Sequence, residues 1–409
     1  MEERLDVAVI GCGTAGAASA LFLSRAGHRV TLFERVPEPG PVGAGIMMQP
    51  SGLLVLERLG LAAQVLQRGA RVERLSCETT GGRMLLDLAY GDLGEGLFGV
   101  GLHRGVLFET LHAAVKGSAV DLRCGVAIER LRRAPDRDRL LVEEEAGAPR
   151  GPFDLVVVCD GARSRVRDSL PSVARTVRPY PWGALWFIGR DPALRYTGRL
   201  HQVVRGARRM IGLLPTGLGP GGAQAPLVSL FASVRADAVE AVRARGLEAW
   251  KDDVLSVAPH AAPVLDQIAS FEQLTFAAYF DVTMPRWHAH RVVFLGDAAH
   301  ATSPQLGQGC NLALVDAADL ADALQASRSL PAALERYTAT RRDHLAYYQL
   351  ATRWLTPFFQ SDDDWLGVLR DLALGPACAV PFVRREMVRS MAGTKTGLLF
   401  GSRPTRMPA

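Results

Sequence analysis

Three stretches of this 409-residue chain bring together residue types that could hold a ligand and do chemistry on it. In the first, an apolar run at 292–295 ends in Gly296 and Asp297. Gly307, Gln308 and Gly309 follow, and then a long apolar-periodic segment. The run is short and β-branched at its start, which suits a strand covered on both faces. Asp297 falls where that strand ends, the usual place for ligand contacts in an open α/β sheet. Its carboxylate can accept hydrogen bonds from sugar-like hydroxyls. Gly307 and Gly309 remove side chains, so main chain can lie against a flat ligand. The helix expected next, with Cys310 and Asn311 near its start, would aim its positive end at whatever the loop holds. Partial positive charge beside a flat surface suits a planar anion.

The second stretch is Gly11-Cys12-Gly13-Thr14-Ala15-Gly16, between an apolar run at 6–10 and an alanine-rich segment reaching Arg25. A lone GxGxxG is a weak signal. Here it joins a strand to a helix, and the next strand, 29–33, ends at Glu34, about 20 residues on; that is the dinucleotide-binding arrangement. Gly11 permits the tight turn, Gly13 lets pyrophosphate approach main-chain N–H groups, and Gly16 lets helix and strand pack closely. Glu34 would accept hydrogen bonds from an adenosine ribose. The third stretch is Asp160-Gly161 with Ser164, Arg165 and Arg167, directly after an apolar strand at 153–158. No further strand is followed by GxGxxG, so a second nucleotide-binding fold of the first type is not expected.

Composition narrows the partners. A net charge of +5 and a pI near 9.0 favour anionic small molecules. No basic run is interleaved with aromatics, so nucleic acid is not expected. Lys116, Lys251 and Lys395 are the only lysines, which removes lysine-dependent chemistry from most of the chain. Six scattered cysteines show no metal-type spacing and read as small buried side chains in a reducing compartment. No apolar run reaches the roughly 18 residues that span a bilayer, and no leader pattern precedes the first strand. The expectation is a cytoplasmic chain without stable membrane insertion and without a metal site.

The elements that must position these groups are α/β at both ends and β-rich between. The glycine-rich segment 43–52 reads as a connection into a helix at 53–59. Strands at 71–80 and 83–88 flank Gly81-Gly82, a hairpin signal. A helix at 102–115 would start beside Arg104, poor dipole chemistry unless an anion holds the guanidinium. Strands are expected at 182–189, 199–204, 208–214, 227–234 and 274–280, with one helix at 236–257, and suggest an inserted domain. Trp182, Trp186, Phe187, Phe231 and Phe280 read as its core, although a sheet face turned to a cavity could also form an apolar floor for a planar substrate. Helices at 330–355 and within 362–390 precede a frayed tail, 403–409.

Four patches in this order, namely 11–16 with Glu34-Arg35, 43–52 entering 53–61, Asp160-Gly161 with Ser164 and Arg167, and 296–311, together resemble the single-component flavin-dependent aromatic hydroxylases. That group has the p-hydroxybenzoate hydroxylase fold and includes a ubiquinone-biosynthesis branch. The resemblance implies an α/β, Rossmann-like FAD-binding domain in three segments (1–75, 100–178, 280–352). It also implies an inserted, mainly antiparallel β-sheet substrate domain (76–99, 179–279) and a C-terminal helical segment with tail (353–409). By motif position, Gly11, Gly13, Thr14, Ala15 and Gly16 would cradle the FAD pyrophosphate, and Glu34 and Arg35 would hold adenosine. Arg104 would contact the phosphate–ribityl region, and Asp297 the ribityl chain or pyrophosphate. Gly307, Gly309, Cys310 and Asn311 would pass main chain under the flavin pyrimidine, and Asp160 belongs to a fingerprint associated with both FAD and NAD(P)H.

The implied activity is that of a monooxygenase. NAD(P)H would reduce FAD, O2 would add as a flavin C4a-hydroperoxide, and an electron-rich aromatic small molecule would be hydroxylated by a monomer or homodimer. Pro304 matches a proline whose carbonyl lies near flavin and substrate, Gln49 is placed to reach the cavity, and His300 reads as structural. The phenol-activating tyrosine pair of p-hydroxybenzoate hydroxylase is not evident, since no tyrosine follows Tyr348. Epoxidation, N-hydroxylation, Baeyer–Villiger insertion and prenyl reduction are alternatives on the same scaffold.

Overall fold

Apolar segments too short to be helices assemble into a six-stranded sheet. In a computed structural model, which describes residues 4–41, 43–135, 138–398 and 401–408, the order is His288–Ala289, Val292–Phe294, Leu155–Val158, Asp6–Ile10, Arg29–Glu34 and Asp121–Cys124. All neighbours are parallel except the two-residue edge strand. Strand order reverses at Asp6–Ile10, whose neighbours are the next strand in the chain on one side and the much later Leu155–Val158 on the other. That reversal opens a crevice at the strand ends, where Gly11–Gly16 and Cys159–Gly161 emerge. Gly11 has φ +95°, and a Cβ at Gly16 would fall 1.8 Å from the Gly11 carbonyl oxygen. The helix Thr14–Arg25 can close onto the strand only with glycine there.

A nine-stranded sheet lies beside the first. Its order is Thr275–Thr283, Thr176–Arg190, Leu227–Arg235, Arg209–Gly217, Gly198–Arg205, Ala70–Thr79, Gly99–His103 and Gly45–Met48, with Met84–Ala89 paired to Ala70–Thr79. Alternation divides its faces. On one, Leu185, Val203, Leu213 and Leu230 pack with Trp250 and Val264 of short helices. On the other, Val204 and Met210 pack with Phe359 of the C-terminal segment. No single helix among the described residues is long and apolar enough to cross a membrane.

Several expectations need correction. The segment 43–52 is not a mere connection: Gly45–Met48 pairs antiparallel with Gly99–His103. Leu102 and His103 are therefore strand, and the next helix begins at Arg104, with His103 Nδ1 accepting the Gly105 N–H as its cap. The helix expected at 236–257 is broken at Gly246, φ +91°, into Val239–Ala244 and Leu247–Leu255. A three-stranded sheet formed by Ile128–Arg133, Leu140–Glu144 and Arg150–Phe153 was not anticipated. The described part of the tail is pinned rather than frayed, because Arg403 pairs with Asp319 and Arg406 with Glu57; Ala409 lies outside the described residues. Leu330–Leu355 is one helix, as its periodicity indicates.

One buried charge network joins these parts. Asp316, wholly buried on the helix Gly309–Gln325, accepts the Gly296 N–H at 2.8 Å and lies 2.6 Å from His300 Nε2. Its other oxygen accepts from Nε of the equally buried Arg341 at 2.7 Å. Arg341 also reaches Asp319 at 3.5 Å and donates to His344 Nδ1, while His344 Nε2 donates to the Gly393 carbonyl at 3.1 Å. Although burial opposes it, the positive groups His300 and Arg341 hold the Asp316 carboxyl well below the usual range. Burial and the neighbouring Arg341 push His344 well down. Arg341→Met leaves the buried Asp316 carboxylate without its arginine in an apolar interior, so denaturant unfolding should show a loss of about 3–5 kcal/mol; a loss under about 1 kcal/mol would refute the network's role. Both shifts are depressions, so both contributions are complete at high pH. Wild-type stability should fall first below about pH 6.5 as unfolded His344 takes up a proton, and again below about pH 3.9 as unfolded Asp316 does.

Candidate cofactor and substrate site

The glycine loop is braced from below. Glu34 Oε2 accepts the Cys12 N–H at 2.8 Å and Oε1 the Val36 N–H at 3.0 Å, so this carboxylate fixes the loop beside whatever it holds. The helix Thr14–Arg25 has no side-chain cap, which leaves the N–H groups of Thr14, Ala15 and Gly16 as donors at its positive end. A Cβ at Gly13 would meet nothing within 4 Å, in contrast to Gly11 and Gly16, which are packed against backbone. Arg35 is exposed and has no carboxylate partner among the described residues.

The second loop contributes an unfilled acceptor. Asp160 bonds Ser164 and the Val166 N–H, yet its Oδ1 is buried without a partner, and burial raises its pKa. Arg167, 0% exposed, donates to the carbonyls of Ala162 at 2.9 Å and Ala298 at 2.8 Å. It thereby ties the 160–167 loop to the short helix Asp297–His300. Asp297 itself is exposed, without an ion pair among the described residues. His300 is bound to Asp316, the structural role expected of it.

The third loop carries the flat surface. Gly307 has φ +62°, a left-handed conformation that glycine adopts without strain, and its N–H donates to the Pro304 carbonyl at 2.8 Å. The helix Gly309–Gln325 also lacks a side-chain cap, and its ladder starts with Leu312 N–H to Gln308. Gly309, Cys310 and Asn311 are thus the first-turn donors. The Cys310 thiol is pushed up to about 12 by burial, so it stays neutral. The Asn311 side chain is spent on holding backbone. It accepts the Gln49 N–H at 2.8 Å and donates to Met47 O at 2.9 Å and Gly307 O at 3.2 Å. Gln49 is 2% exposed, its Oε1 taken by the hydroxyl of buried Tyr90, and its Nε2 would lie 3.9 Å from a Cβ on Gly307. Tyr90, 41 residues away, had no sequence signal linking it to Gln49. Arg104 is exposed, lies against Gly43, and has no carboxylate partner among the described residues.

This loop faces the large sheet. Gln305 Nε2 lies 4.0 Å from Met210 Sδ. Trp186 and Phe231 stack on the same face, centroids 5.0 Å apart. The expectation that all five aromatics are core holds for the buried Trp182 and Phe187; Trp186, Phe231 and Phe280 are only half-buried.

Together, uncapped helix starts, the orphaned Asp160 oxygen and two unpaired arginines suit a dinucleotide with a flat headgroup. Asp297→Ala, at an exposed and unpaired position, should weaken FAD binding at least about tenfold, the lower end of a charge-assisted hydrogen bond, without moving the apoprotein's melting temperature. Full flavin occupancy after dilution would refute the assignment. Glu34→Ala should cost about 1.5–3 kcal/mol of FAD affinity, and an unchanged dissociation constant would remove it from the site.

Known proteins agree with this geometry. The FAD binding domain family matches residues 4–348. The chain is 30% identical to 3-amino-4-hydroxybenzoate 2-monooxygenase of Streptomyces cremeus, across 89% of this chain and 90% of that one. It is 28% identical to 2-heptyl-3-hydroxy-4(1H)-quinolone synthase of Mycobacteroides abscessus, across 82% and 85%. The fold superposes on Klebsiella pneumoniae HpxO, solved with FAD and uric acid, with a TM-score of 0.78 over 95% of this chain and 97% of that one, at 21% identity. From loops, spacing and these likenesses alike, the chain belongs to the FAD binding domain family.

Proposed function

We propose that this chain is an FAD-dependent monooxygenase that uses NAD(P)H and O2 to hydroxylate an electron-rich aromatic small molecule. One observation carries the reading: the loop Pro304–Gly309, which suits a flavin edge, lies directly over an apolar, aromatic sheet face. FAD, when bound, supplies the electron transfer and oxygen activation that side chains cannot. The chain's own residues bind, orient and exclude water. The Thr14, Ala15 and Gly16 N–H groups hold pyrophosphate beside Gly11 and Gly13, and Glu34 and Arg35 hold adenosine. Arg104 and Asp297 secure the phosphate–ribityl region, and Asp160 offers its free oxygen to a hydroxyl. The N–H groups of Gly309, Cys310 and Asn311 would offer partial positive charge to a bound flavin. Pro304 and Gln49 would border it, Gln49 with its orientation fixed by Tyr90.

One named relative is a monooxygenase of an aminohydroxybenzoate, and the other is the synthase of a hydroxylated quinolone. That supports a substrate already rich in electrons, which needs no dedicated tyrosine relay. The division into an FAD-binding part and a sheet-based substrate part is proposed on the same grounds. The test is single turnover: holoenzyme reduced anaerobically by NADPH or NADH, then mixed with oxygen-18 gas and an aromatic. A ring product carrying one oxygen-18 atom is expected. Quantitative hydrogen peroxide, with no oxygenated product from any aminophenol or quinolone offered, would overturn the reading.

A further inference from the structure

The inner face of the large sheet carries one row of side chains that the binding loops do not use. Register places Cys77, Gln202, Gly212, Phe231, Trp186 and Thr275 side by side on six adjacent strands. The row runs beside the third loop: two residues from Gly212 along its strand, Met210 meets Gln305. Gly212 is where the row becomes flat, because a Cβ there would fall 2.0 Å from the Phe231 ring. The ring lies across that gap and stacks with Trp186 at an interplanar angle of 36°. A planar substrate has an aromatic floor here.

Gln202 stands beside this floor. It is 7% exposed, and its amide has no hydrogen-bond partner among the described residues. The amide nitrogen and oxygen keep solvent access, so a ligand laid on the floor can pair with them in place of water. The surrounding charges sharpen what that ligand is. Arg370 is saturated by Asp371 and the carbonyls of Gly206 and Phe358. Arg235 is held by Asp237 and Asp362, and Arg163 is exposed, over the Phe280 ring. Arg199 and His201 of the same strand point to the other face, where with Arg195 and His260 they line a separate cavity of 730 Å³. Among the described residues, no free cation stands on the row. A carboxylate laid on it would be desolvated without a partner.

We infer that Gln202 orients the substrate, and that the substrate is an uncharged fused aromatic whose edge presents a donor and an acceptor together, as a lactam does. A primary amide and a lactam can exchange two parallel N–H···O bonds. This assignment rests on the monooxygenase reading only for the name of the site.

The test uses oxidised FAD holoenzyme, with binding read as perturbation of the flavin absorbance. The probes are quinolin-2(1H)-one and its anionic counterpart quinoline-2-carboxylate. The lactam should bind at least tenfold tighter. Gln202→Leu should lose that tenfold preference while keeping its flavin content. Gln202→Glu, nearly isosteric, keeps the question answerable if the leucine variant fails to fold, and should weaken lactam binding too, because a carboxylate cannot donate to the lactam carbonyl. Equal or tighter binding of the carboxylate, unchanged lactam affinity in both variants, or no perturbation by either probe would overturn the inference. Tight lactam binding with only hydrogen peroxide formed on turnover would instead overturn the monooxygenase reading and leave this one standing.

Discussion

The Asp316 carboxylate is the constraint on which the remaining architecture hangs. It sits in the apolar interior of the dinucleotide-binding part, where an isolated charge is very costly. It is tolerated because three groups from three places converge on it: the Gly296 N–H, the His300 ring and the Arg341 guanidinium. Each partner fixes a different element. Gly296 fixes the end of the strand that presents Asp297, His300 fixes the loop leading to Pro304, and Arg341 fixes the helix behind both. Ligand-facing groups at the strand end and the loop are therefore positioned by a residue that cannot itself touch the ligand.

The way the two sheets meet follows from small residues more than from large ones. Gly296 approaches Ala15 and Ala313, where a Cβ would stand 3.1 and 3.4 Å from theirs. Three elements of different origin thus converge at one point behind the cofactor loops. Within the large sheet, Gly45 closes on Leu214 and Ser229 with as little room. Packing at interior density leaves little freedom once such contacts form. Asn311 completes this arrangement by bonding Met47, Gln49 and Gly307 at once.

What could be read from the residues alone divides along physical lines. GxGxxG with Glu34, and the strand–glycine–helix run around Asp297, are local: neighbours in sequence do the work, and their spacing is visible. Leu330–Leu355 was equally legible because one period runs through 26 residues. The strand Gly45–Met48 was not, since a glycine-rich segment becomes a strand only when a partner 52 to 58 positions later supplies its ladder. Trp186 and Phe231 looked like core because burial of an aromatic is the commoner outcome. Which face each takes depends on a register set by four other strands. Gln202 carried no signal at all, being a polar residue within a strand whose meaning comes from Gly212 across the ladder. The frayed tail failed for the converse reason: composition cannot reveal that Arg403 has a buried carboxylate waiting for it.

That clasp has a temporal side. Arg403 lies 84 positions after Asp319, whereas Arg341 lies only 22 after it. During synthesis at about 5–20 residues per second, Arg403 would trail Asp319 by roughly 4–17 s. The cluster of Asp316, His300 and Arg341 can gather first, while Asp319 has only the 3.5 Å reach of Arg341. Until Arg403 arrives, Asp319 lacks its close cation. The newly made protein therefore matures in two electrostatic stages, and the second belongs to the segment made last.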